Sequence, residues 1–232
     1  RRAISIARDT GCSLHIVHVS SWQGVAEVVE ARQSRAGGSD RRLDVTCETC
    51  PHYLLLDEDE AERIGARAKC APPVRDAENR RRLASQLAGG LIDLVGSDHS
   101  PSPPGMKAGE DMFAVWGGIA GVQATLSALF SLESPLPVER VAHLTAGSVA
   151  SRFGIARKGR IERGYDADLA LVDVGASFEL ACDDLLDRHR QSPYVGRTFR
   201  GIVRRTLLRG QTVFAHGQVN AAAHGRFVRP AR

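Results

Sequence analysis

The sequence predicts an α/β protein: a series of parallel βα units followed by a smaller β-rich segment. Three observations lead there. Up to residue 157, β-branched strand-like runs alternate with helix-patterned stretches, the order expected of a parallel sheet or barrel. One run, "LIDLVGSD" (91–98), is apolar almost throughout, as in a strand buried on both faces. Beyond residue 157 the texture changes to short alternating strands punctuated by glycine.

The elements follow in order. "RRAISIARDTG" reads as the end of a helix and carries no initiator Met, so a fragment of a longer protein is expected. "SLHIVHVS" (13–20) alternates and predicts a strand. Ser20 or Ser21 then caps a helix over "WQGVAEVVEARQSR", stopped by Gly37-Gly38. "RLDVTCETC" (42–50) predicts a second strand, ended by Pro51, and "DAENRRRLASQLAGG" a second helix capped by Asp76. After 91–98 come a Pro/Gly-rich loop (99–111), an apolar helix near 118–131 and another near 137–151. Three βα units cannot close an eight-stranded barrel, which takes about 250 residues. The first part is therefore a small open sheet or the last part of a barrel. The domains expected are 1–156 and 157–232, the latter β-rich with 177–200 as a connecting segment.

With 232 residues, 43% of them hydrophobic, the chain can bury a real core, and disorder is not expected. The net charge of +4 comes from arginines scattered over the whole length, and aromatics make up only 5%. Nucleic acid is therefore not expected as a partner. No apolar stretch reaches the roughly 18 residues of a spanning helix, so no membrane is expected either. Five cysteines without framework spacing fit a reducing cytoplasm.

In parallel α/β folds, active groups sit at the carboxyl ends of strands. His18, the "CPHY" segment with His52, and Asp98 with His99 all fall at such ends. Imidazole and carboxylate together suit a divalent metal such as zinc. Each residue also has a plainer use. His18 can be a satisfied polar group, Asp98 can cap a turn, and His52 can brace its loop. His15, three residues before His18 on the expected strand, is assigned to the opposite face. The same offset separates the cysteines of "CETC" (47–50), which are read as core residues, not as a chelating pair.

Taken together, "HIVHVSS", "VTCETCPHYLLLD", "AKCAPPVRD", "IDLVGSDHSPSPP", "WGGIAGVQ", "KGRIERGYDADLALVD" and "SPYVGRTFRG" resemble the amidohydrolase superfamily in its cyclic-amidase branch. Within that branch the resemblance is greatest to the allantoinases, and it runs in order over nearly the whole chain. It implies the C-terminal part of a (β/α)8 TIM barrel followed by part of a small β-sandwich domain. It also implies a two-metal site, two zinc ions bridged by a carboxylated lysine. His18 matches the histidine of the family's sixth strand and Asp98 the aspartate of its eighth. His52 matches no ligand position and is withdrawn as a metal candidate. The His-x-His pair, the lysine and the fifth-strand histidine have no match and are expected upstream of residue 1.

Backbone groups at Ala71 and Ser100 are expected, by the same resemblance, to hold the ring of a cyclic ureide substrate. Asp98 is expected as both metal ligand and proton shuttle, in a homotetrameric cytoplasmic enzyme of purine catabolism. Family members often carry Cys where Ser102 stands and an acid where Gly105 stands. These departures bear on substrate preference, not on reaction class. The expected reaction is hydrolysis of allantoin to allantoate, with residues 1–232 alone inactive. Hydantoinase, dihydropyrimidinase or dihydroorotase activity is the alternative, and a non-catalytic scaffold the second. The presence of both His18 and Asp98 argues against the scaffold.

Overall fold

A computed structural model describes residues 1–232 except 36, 38–40, 110, 221–224 and 231–232. It comprises two compact units, one of Arg1–Val122 with Asp187–Pro193, the other of Gln123–Leu186 with Tyr194–Arg232. The first opens with helix α1 (Arg2–Thr10), closed by Gly11 in the left-handed region at φ 71°. Strand β1 (Leu14–Ile16) follows, then α2 (Trp22–Gln33), β2 (Val45–Thr49), the short helices α3 (Pro51–Leu55) and α4 (Glu58–Ile64), α5 (Ala77–Ala88) and β3 (Leu94–Val95). The three strands form one parallel sheet in the order β1-β2-β3. His15 pairs with Thr46, and Glu48 with Leu94.

Local chemistry accounts for these elements. Ser21 caps α2 by accepting from the Gly24 N–H, and Asp76 caps α5 by accepting from the Asn79 N–H, each satisfying a donor that the helix leaves free. Helix α2 stops at Gln33, short of the expected Gly37-Gly38, and Gly38 lies outside the described residues. Pro51 ends β2 as expected but also begins α3, because a first-turn proline has no N–H to lose. The predicted strands 13–20 and 91–98 shrink to three and two residues. At the carboxyl ends the cause is local: His18 and Asp98 take left-handed backbone, φ 40° and 44°, which turns the chain out of the extended run.

The core of this unit lies between helices and sheet: Val25, Val28 and Ala31 of α2, Leu83 and Leu87 of α5, Val45 and Cys47 of β2, and Ile92 and Leu94. Each large aliphatic side chain there contributes about 1.5–3 kcal/mol. Arg32 ties the layers together. Its guanidinium donates to the carbonyls of Val45 (3.1 Å) and Leu91 (3.2 Å) and pairs with Asp93, which also accepts from the Cys47 N–H at 2.8 Å.

The second unit holds α6 (Thr125–Phe130), α7 (Val138–Ala142), α8 (Ser148–Arg152) and the strands β4 (Leu169–Glu179), β5 (Thr198–Leu208), β6 (Gln211–Ala215) and β7 (Gln218–Val219). These strands make one antiparallel sheet in sequence order. A π-turn over His143–Gly147 joins α7 to α8. Helix α6 packs on β5 at Gly201 (φ 81°), where a Cβ would lie 2.7 Å from the Phe130 ring, and the Ser127 hydroxyl donates to the Gly201 carbonyl at 2.6 Å. Strand β4 begins the expected connecting segment 177–200 and β5 ends it. Among the described residues, no helix is long and apolar enough to cross a membrane.

Candidate active site

Because the sheet is parallel, the residues that follow β1, β2 and β3 emerge along one edge, with neighbouring strands about 4.8 Å apart. Each chain exit is fixed. After β1, the Val19 N–H donates to the Glu48 carbonyl (2.8 Å), and the Thr49 hydroxyl donates to the Val19 carbonyl (2.8 Å). Asn79 of α5 then brackets the turn, donating to the Ser20 carbonyl at 2.9 Å and accepting from the Trp22 N–H at 3.2 Å. After β3, Gly96 lets the backbone pass the Glu48 carboxylate: a Cβ there would sit 2.8 Å from Oε1.

His18 and Asp98 are therefore held in unfavourable backbone conformations by bonds on either side, a condition that clusters at functional sites. Both are half-buried. Asp98 meets two residues from the end of β2. Among the described residues, Cys50, His52 and Asp98 offer donor atoms that all lie within 4.8 Å of one another.

Cys50 is fully buried and His52 only 1% exposed. Among the described residues, neither ring nitrogen of His52 has a hydrogen-bond partner. Burial, and then the nearby His18, push the His52 pKa down to about 3, so the ring is a neutral donor at ordinary pH. Burial also pushes the Cys50 thiol up, followed by the negative charges of Asp98 and Glu48. An orphaned neutral imidazole beside a carboxylate and a thiol is a donor set suited to zinc-class ions.

The strand-end rule found His18, Asp98 and the "CPHY" segment, but the residue matching then discarded His52. The structure returns it to Asp98's side. Cys47 and Cys50 are both fully buried, as the core reading expects, although alternation does not extend to Cys50. Strand β2 ends at Thr49, and Cys50 is the cap residue just before α3. Alternation fails for His15 and His18 in the same way, since β1 ends at Ile16. His15 instead lies 2.7 Å from the Thr46 hydroxyl and 3.2 Å from Glu48.

Ala71 and Ser100 come together through the "WGGIAG" loop. A Cβ on Gly117 would lie 3.6 Å from the Ala71 Cβ, and one on Gly118 would lie 2.6 Å from the Ser100 hydroxyl oxygen. The Ser100 N–H already donates to the Ile119 carbonyl at 2.8 Å, so its expected use toward a substrate ring narrows to the carbonyl and the hydroxyl. Beside it a cavity of about 10 Å³, lined by Arg67, Ser100, Ser102, Lys107, Gly118 and Gln191, has room for about one water. Ser102 is buried there and Gly105 is exposed, so only the second departure lies on an open surface.

The model of the amidohydrolase family matches residues 2–214. The chain belongs to the amidohydrolase family. It is 56% identical, over its whole length, to the allantoinase of Rubrobacter xylanophilus, of which it covers 50%. It is 48% identical, over 99% of its length, to that of Solibacter usitatus, of which it covers 49%. Among solved structures it superposes on an L-hydantoinase (dihydropyrimidinase) from Arthrobacter aurescens with a TM-score of 0.91 at 34% identity, covering 98% of this chain and 51% of that one. The chain spans about half the length of the curated relatives it matches.

Proposed function

We propose that the protein hydrolyses a cyclic amide, allantoin to allantoate, and that this chain supplies the strand-end ligands and the proton shuttle. The observation that supports this reading is that His18 and Asp98 follow strands of one parallel sheet, both in left-handed backbone, in a chain 56% identical throughout to an allantoinase. Residues 1–156 are read as the last three βα units of a (β/α)8 barrel and 157–232 as part of a β-sandwich domain. The compact units divide the chain earlier, at Val122.

His18 and Asp98 would hold a pair of divalent ions, zinc in this reading, which when bound supply Lewis-acid activation of water and of the ring carbonyl. Asp98 takes a proton from the attacking water as the new C–O bond forms. It returns that proton to the ring nitrogen as the C–N bond breaks, leaving a ring-opened acid that releases the second proton of the water to solvent and becomes the carboxylate. Ala71 and Ser100 orient the ureide ring through backbone carbonyls and the Ser100 hydroxyl. We further propose that the enzyme works in the cytoplasm as a tetramer in purine breakdown.

The second reading, hydantoinase or dihydropyrimidinase activity, is favoured by the TM-score of 0.91 to the Arthrobacter enzyme. Turnover of allantoin, hydantoin and dihydrouracil by the full-length protein separates the two. Allantoin is expected to be preferred, and Asp98→Asn to lower turnover on the order of 10²–10⁴-fold. Preferred turnover of hydantoin would replace the first reading with the second, and an unaffected Asp98→Asn would remove both.

A further inference from the structure

We propose that Cys50, His52 and Asp98 form a three-donor site for a thiophilic divalent cation of the zinc and cadmium class. This set differs from the His18 and Asp98 ligands of the hydrolytic reading because it brings a thiol and an imidazole that the hydrolytic reading leaves without a role.

Geometry comes first. The three donor atoms lie within 4.8 Å of one another. Zinc bonds of about 2.0–2.1 Å to nitrogen and about 2.3 Å to sulfur put tetrahedral donors roughly 3.3–3.6 Å apart. Closing the set therefore takes side-chain movement on the order of 1 Å. The donors leave the ends of two hydrogen-bonded strands, so the backbone already holds them in register.

The second observation is independent of the first. His52 is 1% exposed and satisfies neither ring nitrogen. A buried polar group without a partner costs about 1–3 kcal/mol. A cation bound at the cluster removes that cost by giving one nitrogen a ligand bond. Cys50, also fully buried, brings the sulfur donor. Metal binding releases its proton to solvent and forms the metal–sulfur bond with no change of oxidation state. Asp98 supplies the carboxylate donor of the set.

The test uses the full-length protein in a Cys12→Ser, Cys182→Ser background, which removes the two exposed thiols. Cadmium is added to the protein as purified, and ultraviolet thiolate-to-cadmium absorption is followed. The expected result is absorption saturating at one equivalent per chain. It should be abolished by Cys50→Ala, and the apparent affinity should fall at least about tenfold in His52→Phe. No absorption in the background protein, or absorption that survives Cys50→Ala, overturns the proposal. Should Cys50→Ala not fold, X-ray absorption at the cadmium edge of the background protein decides. One sulfur with nitrogen and oxygen neighbours supports the site, and any other shell overturns it.

Because Asp98 is shared, occupancy also withdraws it from hydrolysis, a consequence that rests on the proposed function. The absorption does not depend on turnover, so either can fail alone.

Discussion

Gly118→Ala introduces a methyl group where the backbone of the "WGGIAG" loop runs against Ser100. The new Cβ would lie 2.6 Å from the Ser100 hydroxyl oxygen, 2.8 Å from its Cβ and 2.8 Å from its carbonyl oxygen. Contacts below 3.0 Å to a backbone carbonyl cannot be relieved by rotating a side chain. The loop or the Asp98–Ser100 turn has to move. Overpacking of this kind costs about 1–3 kcal/mol, which for a chain of this size lowers the melting temperature by roughly 2–12 °C.

Unfolding in urea followed by tryptophan fluorescence is the assay, because the chain's two tryptophans, Trp22 and Trp116, both belong to the unit that carries the loop. Ser100→Gly removes two of the three clashing atoms and leaves the carbonyl oxygen. The double variant should therefore recover part of the loss, with a coupling of about 0.5–3 kcal/mol. A Gly118→Ala protein within about 0.5 kcal/mol of its parent, or a double variant showing no coupling, would refute the close-approach account of this glycine.

His52→Phe replaces a buried ring whose nitrogens are unpartnered by an apolar ring, so the metal-free protein should gain about 1 kcal/mol, read as a higher urea midpoint. A loss instead would mean that His52 is satisfied in solution. In the second unit, Lys158 pairs with Asp166 (2.9 Å) and Asp168, and the carboxylates are held below their ordinary range: Asp166 chiefly by the Lys158 bond, and Asp168 by the same bond against its own burial. A depressed folded pKa adds stability above the unfolded value of roughly 4, lost as the pH falls through the folded one. Lys158→Met should therefore lower the melting temperature at pH 7 but not at pH 2. Equal effects at both values would show that Lys158 acts by packing.

The parts of the fold legible in the sequence were those where a local signal and the tertiary structure agree. Ser21 and Asp76 cap the helices they were expected to cap, and the strand order follows from alternating β and α patterns. The errors share a cause. Strand lengths were read from apolar runs, but at His18 and Asp98 the backbone turns into the left-handed region, which apolar patterning does not encode. The core reading of Cys47 and Cys50 holds, both being fully buried, but period-two reasoning has no meaning for Cys50, one residue past a strand. Helix α4 has a readable cap in Asp57, with Glu58, Asp59 and Glu60 in its first turn, yet so short an amphipathic face leaves little periodic signal. His52 was set aside by matching positions to a family pattern, whereas its lack of any hydrogen-bond partner is visible only in three dimensions.

The parallel ladder carries one more implication. Cys50 and His52 are placed by where β2 ends, and Asp98 by where β3 ends, so their meeting depends on Glu48 facing Leu94 and Thr49 facing Val95. A slip of one residue in that pairing would carry the β2 donors about 3.3 Å along the edge and turn each strand residue to the other face. The cluster is thus assembled only by a correctly threaded sheet. A bound cation would act as a fidelity check, stabilising the native alignment over its neighbours.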